Sequence, residues 1–178
     1  MKNTSLFSIS IIMLLIAFTA ACSTDSNIGL QEPTFDGVED EMFSIEGLEP
    51  EPVQDGIEKY IFEEGYGEDR VVIRDQLFIF VTLSTMDGDI IYSSYQNGRT
   101  SPDPVTVLNI QPAFPRNFQI QRAFTNGLRK GLIGMREGEK RVIIVPPSEG
   151  FENIQSGSLN EAFRNQTLRY DIELNAIL

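Results

Sequence analysis

Apolar and polar residues alternate with a period of two near the C-terminal end of the chain, between Thr167 and Leu178. The apolar members of this pattern are Leu168, Tyr170, Ile172 and Leu174. Successive side chains of a strand point to opposite faces of a sheet. The pattern therefore predicts a strand with one buried and one solvated face.

Other segments carry strand signals of a different kind. Gln76 to Thr85 is rich in β-branched and aromatic residues, which favours a central strand. The Asp87-Gly88 pair that follows is a hairpin-turn signal, so the chain is expected to return as a second strand. Shorter strands are predicted over residues 57–62, 89–92, 105–110 and 140–145.

One helix is predicted, from Arg116 to Leu132, because Phe124, Leu128 and Leu132 recur at the spacing of one helical face. Five or six strands with a single short helix favour an antiparallel α+β domain. We therefore expect a five- to six-stranded antiparallel sheet wrapped on one short helix.

The first residues of the chain have the pattern of a targeting segment. Lys2 precedes an apolar run from Leu6 to Phe18, which is shorter than the roughly 20 residues that a membrane-spanning helix needs. An ordinary cleaved signal peptide and a short anchor helix are both consistent with this run. The segment also resembles the lipobox of bacterial lipoproteins, which ends at a lipidated Cys, although Thr19 stands where that pattern usually has Leu. On this reading residues 1–21 are a lipoprotein signal peptide and Cys22 is lipidated.

The next segment is acidic. No Lys or Arg occurs between Lys2 and Lys59, while Asp and Glu recur from Asp25 to Asp55. Such a composition packs poorly on its own, so residues 22–55 are predicted to be an acidic tether and residues 56–178 a folded domain. Within the tether, residues 43–48 have enough apolar character to dock locally. Deletion of residues 25–52 is accordingly expected to leave the melting temperature of the domain almost unchanged.

Composition excludes several classes of function. The chain has 14 Lys and Arg against 26 Asp and Glu, a formal net charge of −12, which argues against sequence-independent binding of nucleic acid. It has no His and a single Cys, which removes Ser-His-Asp triads, Cys-His dyads, His-ligated metals and intrachain disulfides. We therefore expect no metal and no cofactor.

Residues 127–151 carry the most specific motif. They contain Gly-Leu, then Gly-Met-Arg-Glu-Gly-Glu-Lys-Arg, then an apolar strand that runs into Pro146-Pro147 and Phe151. Together with the last strand from Thr167 to Leu174, this resembles the FKBP-type peptidyl-prolyl cis-trans isomerases. Gly127 and Gly131 also have a physical role, since a helix without side chains at these positions can lie close to the sheet.

The resemblance implies a peptide-binding pocket. By position, its lining is expected to be Val81, Ile91, Tyr92, Val105, Phe124, Thr125, Leu128, Phe151 and Tyr170. Several of these depart from the family. The family has Tyr at the position of Val81, Asp at that of Tyr92 and Trp at that of Leu128, and Phe151 lacks the hydroxyl of the family's Tyr. The pocket stays apolar, but it is depleted of polar groups.

The activity that the resemblance implies is prolyl isomerisation. The peptide bond is planar by resonance, and rotation at X-Pro breaks no covalent bond, so the reaction needs neither His nor a free thiol. An apolar cradle matched to the twisted amide is sufficient in principle. Two alternatives stay open: a non-catalytic FKBP-fold peptide-binding or chaperone-like lipoprotein, and a structural envelope lipoprotein without a peptide ligand.

The same resemblances imply partners and location. Proline-containing polypeptides of the cell envelope are the expected clients, and the membrane is the expected partner of a lipid anchor at Cys22. No Asp follows that Cys directly, since Ser23 does, and this favours the outer membrane of a bacterial envelope.

Overall fold

The computed structural model describes residues 32–108, 114–115 and 122–178. Residues Pro33–Leu178 belong to one compact unit. Cys22 and the predicted signal peptide lie outside the described residues.

Eight strands and one α-helix make up the regular structure of the described residues. The strands are β1 (Glu51–Pro52), β2 (Glu58–Glu63), β3 (Gln76–Thr85), β4 (Ile90–Ser93), β5 (Asp103–Thr106), β6 (Phe114–Pro115), β7 (Lys140–Val145) and β8 (Leu168–Ile177). The helix is α1 (Asn126–Leu132), and short 3-10 turns occur at Val38–Glu41, Gln96–Gly98, Pro147–Glu149 and Glu161–Phe163.

All strand pairs in the described part of the chain are antiparallel. The sheet runs in the order β1-β2-β7-β8-β3-β5-β6, and β4 pairs with β3 outside this path. The longest pairing joins β3 to β8, from Leu77 opposite Ile177 to Thr85 opposite Leu168. The predicted α+β class is confirmed, and the two-residue strands β1 and β6 are additions that the sequence pattern does not reveal.

The alternation predicted for the last strand is present in β8. Leu168, Tyr170, Ile172 and Leu174 are buried in the core. On the other face, which the pattern predicts to be solvated, Arg169 and Glu173 are half-buried and Asp171 is only 3% exposed. This carboxylate is buried because a segment N-terminal to the sheet lies against it.

Helix α1 is shorter than predicted. Thr125 is its N-cap, with extended backbone and a side-chain oxygen that accepts from the amide of Leu128 at 3.0 Å. A capping Thr ends the helix on its N-terminal side, so the prediction that the helix includes residues 122–125 is wrong, and residues 116–121 lie outside the described part. A Cβ at Gly127 or Gly131 would overlap with Val145 or Ile143 of β7, which confirms that both glycines allow close approach to the sheet.

The strand predicted over 105–110 is displaced. Strand β5 spans Asp103–Thr106, so it begins and ends earlier than the apolar pattern indicates. At Val107 the chain leaves the ladder and its amide donates to the carbonyl of Asp75 at 2.9 Å. Residues 109–110 lie outside the described part.

The tether predicted over residues 22–55 is wrong for its described portion. Glu51–Pro52 pair with β2, and Val38 is 1% exposed. The amide of Phe43 donates to the Asp171 carboxylate at 2.8 Å, and the guanidinium of Arg169 donates to the Phe43 carbonyl.

Two further contacts hold this segment. The Phe43 ring stacks on Phe62 with centroids 5.1 Å apart, and the amide of Thr34 donates to the Asn97 side chain at 2.9 Å. We call residues 33–55 the N-terminal strap. The compact unit begins at Pro33 rather than at residue 56 because the strap contributes apolar and hydrogen-bonding contacts despite its acidic composition.

None of the helices in the described residues has the length and apolar character that a membrane crossing requires.

Candidate functional site

A cleft of about 570 Å³ opens beside the N-terminal end of α1. Its apolar lining comes from Phe124, Phe151, Ile154 and Leu159. Its polar lining comes from Arg122, Thr125, Asn126, Ser148, Glu149, Asn153, Ser158 and Asn160. The segment before α1 forms one wall and the segment after β7 forms the other. The volume falls in the range of about 300–1,000 Å³ that is common for ligand sites.

The predicted pocket residues divide into two groups. Phe124, Thr125 and Phe151 line the cleft. The other six are packed in the hydrophobic core with 2% exposure or less: Val81, Ile91, Tyr92, Val105, Leu128 and Tyr170. Phe151 belongs to both groups, since it is 3% exposed and part of the core. The role of the six buried residues in peptide binding stays a prediction.

Tyr170 closes the floor beneath Thr125. Its hydroxyl donates to the carbonyl of Ala123 at 2.8 Å and lies 2.8 Å from the Thr125 hydroxyl, which is free to donate to it. Complete burial raises the pKa of Tyr170 well above its ordinary value. The hydroxyl therefore stays protonated and ties β8 to the segment that enters α1. Reasoning from the sequence treated Tyr170 as an apolar wall and missed this bond.

The ammonium group of Lys130, on α1, holds Glu149 at the rim of the cleft. The Lys130 ammonium lies 2.5 Å from an Asp55 oxygen and 2.7 Å from Oε2 of Glu149. Burial alone would lower the pKa of Lys130, but the hydrogen bonds that its ammonium donates to these two carboxylates outweigh burial and raise the pKa. The side-chain amide of Asn126 donates to the same Glu149 oxygen. The sequence pattern gave no sign of this arrangement, because its members come from three separate segments.

The sequence profile of the FKBP-type peptidyl-prolyl cis-trans isomerases matches residues 67–175. The chain belongs to this family. A comparison of the whole sequence with curated proteins gives no significant match.

Solved structures show the same FKBP fold. A peptidyl-prolyl cis-trans isomerase from Pseudomonas syringae pv. tomato is 20% identical with a TM-score of 0.53, over 72% of this chain and 80% of that one. The three FKBP domains of wheat FKBP73 are 18% identical with a TM-score of 0.53, over 74% and 51%. A multi-domain immunophilin from Arabidopsis thaliana is 18% identical with a TM-score of 0.54, over 74% and 46%. This chain spans about half the length of the two plant structures.

The FKBP domain also contains a buried polar cluster that the sequence did not reveal. The Tyr92 hydroxyl donates to Oδ2 of Asp103 at 2.7 Å, and Ser94 donates to the same oxygen at 2.6 Å. Arg99 pairs with Oδ1 at 2.9 Å, and Asp103 is completely buried. Burial, and then the Asp103 charge, raise the pKa of Tyr92 well above its usual value.

This cluster replaces the Tyr and the Asp that the family has at the positions of Val81 and Tyr92. By resemblance, the family has a Tyr at Val81 and an Asp at Tyr92. Here the Tyr stands at position 92 and the carboxylate comes from β5, at Asp103. A tyrosine–carboxylate pair is therefore present in this FKBP domain, but it is built from other positions. The signal in the sequence was an Asp between Pro102 and Pro104, directly before the strand-forming residues 105–107.

No cluster of three or more acidic or thiol side chains suitable for holding a metal ion occurs within residues 32–108 and 122–178.

Proposed function

We propose that this FKBP domain is a peptidyl-prolyl cis-trans isomerase that acts on X-Pro bonds of cell-envelope polypeptides. The proposal rests on one observation: Phe124 and Phe151 both line the same cleft of an FKBP domain. Ile154 and the 78% exposed Leu159 extend this apolar surface. This surface offers apolar contact to a proline ring and its neighbours.

The chemistry follows from the nature of the peptide bond. Its planar form is stabilised by resonance with charge separation, and the barrier to rotation is about 18–20 kcal/mol. An apolar wall solvates the charge-separated planar amide less well than water does, so it favours the twisted form in relative terms. Asn153 lines the cleft, and its side-chain amide offers hydrogen bonds to the flanking peptide, whereas the Asn126 side chain already contacts Glu149 and Arg129. No proton transfer or covalent intermediate is required.

The test is an isomerase assay on X-Pro peptides with the wild-type protein and Phe124→Ala. Phe124 is half-buried, so its truncation costs less stability than that of a core Phe. We expect activity to fall about tenfold, which corresponds to about 1.4 kcal/mol of lost transition-state contact. The melting temperature should change little. Met86→Ala is the control, since Met86 is 53% exposed and does not line the cleft.

A folded wild-type protein with no rate above that of buffer would refute the isomerase proposal. It would then be a non-catalytic FKBP-fold binding protein. If both variants lost activity equally, the Phe124 contact would not be part of the site.

We propose in addition that Cys22 is lipidated and anchors the protein in a bacterial envelope membrane, with the outer membrane as the favoured location. The support is the apolar run before the single Cys of the chain. Cys22→Ser should abolish labelling by palmitate and release the protein from the membrane fraction or leave it unprocessed. Ser23→Ala, which keeps the thiol, should label like wild type. A Cys22→Ser protein that is still labelled and membrane-bound would disprove the lipid anchor.

A further inference from the structure

Two side chains of opposite charge line the cleft of the FKBP domain, Arg122 and Glu149. No ion pair joins them within the described residues: Glu149 pairs with Lys130, and Arg122 contacts the neutral Asn160. Because they lie on segments that come from different parts of the chain, the apolar residues Phe124 and Phe151 share the cleft with a positive and a negative group.

Glu149 is held in place from one side only. Asn126 and Lys130 both donate to its Oε2, the latter at 2.7 Å. Within the described residues no donor reaches Oε1. Lys130 is shared with Asp55, so one cation faces two carboxylates. Arg129 donates to the Oδ1 of Asn126 at 2.9 Å rather than to Glu149. Lys130, Asp55 and Glu149 together therefore carry one net negative charge, and Oε1 of Glu149 has no donor among the described residues.

Arg122 is held by a neutral side chain. Its Nε lies 3.5 Å from Oδ1 of Asn160, and the Asn160 amide donates back to the Arg122 carbonyl at 2.8 Å. No described carboxylate forms an ion pair with Arg122. Asn160 fixes the direction of the guanidinium without neutralising it. This wall of the cleft therefore keeps a positive charge.

We propose that the cleft is electrically polarised and that it selects prolyl peptides with a basic residue on one side of the proline and an acidic residue on the other, in one order. The basic side chain would meet Glu149 and the acidic side chain Arg122. This inference rests on the proposed isomerase function of the same cleft. Apolar neighbours lower the local dielectric response, so these charges act more strongly than they would in open water.

The experiment uses two capped peptides of identical composition and opposite order, acetyl-Lys-Ala-Pro-Phe-Glu-amide and acetyl-Glu-Ala-Pro-Phe-Lys-amide. Cis–trans exchange is measured by NMR with the full protein. The preferred order should be isomerised about threefold faster, which corresponds to about 0.65 kcal/mol and lies within the range of partly exposed ion pairs. Added salt should reduce the difference.

Three variants locate the effect. Glu149→Gln and Arg122→Gln should each bring the two rates together. Glu152→Gln removes a charge close in sequence but outside the cleft lining, so it should keep the preference. Melting temperatures identify any variant that is unfolded. Since Arg122→Gln does not disturb the Lys130 contacts, it tests the proposal independently of Glu149.

Each outcome has a distinct meaning. Equal exchange rates for the two wild-type peptides overturn the polarised cleft and leave the isomerase proposal intact. If neither peptide is isomerised, the isomerase proposal fails, and the affinities of the two peptides measured by chemical-shift titration decide the polarity. Equal affinities for the two peptides then overturn the polarised cleft as well. A difference in affinity that is lost in both Glu149→Gln and Arg122→Gln supports the polarised cleft.

Discussion

A single hydroxyl, that of Tyr170, joins the last strand to the segment that enters the helix. It contacts the Ala123 carbonyl and the Thr125 hydroxyl, both at 2.8 Å, in a completely buried position. Thr125 in turn caps α1. The hydrogen-bond chain therefore fixes the wall of the cleft at which Phe124 is placed.

Replacing this tyrosine tests the bond. Tyr170→Phe keeps the ring but leaves a buried carbonyl without its donor, which typically costs about 1–3 kcal/mol. We expect the free energy of unfolding measured in urea to fall by this amount, while its slope against urea concentration stays unchanged. Tyr66→Phe is the matched control, since Tyr66 is 67% exposed, and it should unfold like wild type. A Tyr170→Phe protein as stable as wild type would mean that the hydroxyl is not required.

The sequence indicates which residues lie at the site better than it indicates how deeply each of them is buried. Phe124, Thr125 and Phe151 were expected at the site and line the cleft. The resemblance predicts only that Phe151 lines a pocket. At 3% exposure it is a core residue, for which loss of the ring typically costs about 3–5 kcal/mol. Burial depends on which segments cover a residue, and one sequence does not contain that information.

At the scale of elements, local patterns identified the strands and missed the strap. The period of two in β8 and the apolar run in β3 report directly on burial, so both strands could be predicted. The strap has no such period. It is held by isolated residues: Val38 is 1% exposed, and Phe43 contacts Phe62 and Asp171, which lie far away in the sequence. Its composition alone therefore indicated a tether.

Truncation tests the strap. A chain that begins at residue 56 loses the burial of Val38 and Phe43 and leaves Asp171 without its Phe43 partner. Burying one such side chain typically contributes about 1.5–3 kcal/mol, so we expect the free energy of unfolding to fall by about 3 kcal/mol or more. A chain that begins at Pro33 is the control and should melt like the longer protein.

The same experiment can also contradict the strap. Equal melting temperatures for the chains that begin at 33 and at 56 would restore the tether and disprove the strap. Phe43→Ala in the longer chain gives a second measurement, since it removes the stack on Phe62 without removing any backbone.

For the whole molecule, stability should be nearly independent of pH across the neutral range. The chain has no His, so no side chain of ordinary pKa titrates between about pH 6 and 8. At high pH the stability depends on the ionisation of the buried tyrosines. Burial, followed by the charges of Glu41 and Glu173, raises the pKa of Tyr95 to about 12 from 10.0. Tyr92 and Tyr170 are shifted in the same direction.

The sign of the effect follows from proton binding. Above pH 10.0, the ordinary tyrosine pKa, the unfolded chain loses tyrosine protons that the folded protein keeps, so stability falls as pH rises. At the acid end, a hydrogen bond from Lys59 lowers the pKa of Glu51, so a small exposed contribution is lost as pH falls below 4.5. Melting temperatures from pH 4 to 11 should show a plateau with a steep alkaline edge. Tyr95→Phe should make that edge shallower, and a step between pH 6 and 8 would contradict the expectation.

The Asp103 cluster has a consequence for how this sequence can diverge. A completely buried carboxylate that loses one partner becomes costly, and breaking a buried ion pair typically costs about 3–5 kcal/mol. Substitutions at Tyr92, Arg99 or Asp103 are therefore tolerated together rather than one at a time. In related chains these positions should change in concert, and a substitution at one of them should reduce the cost of a substitution at another. A change of Tyr92 alone would leave the Asp103 carboxylate with one donor fewer, and a change of Asp103 alone would leave the Tyr92 hydroxyl without its acceptor.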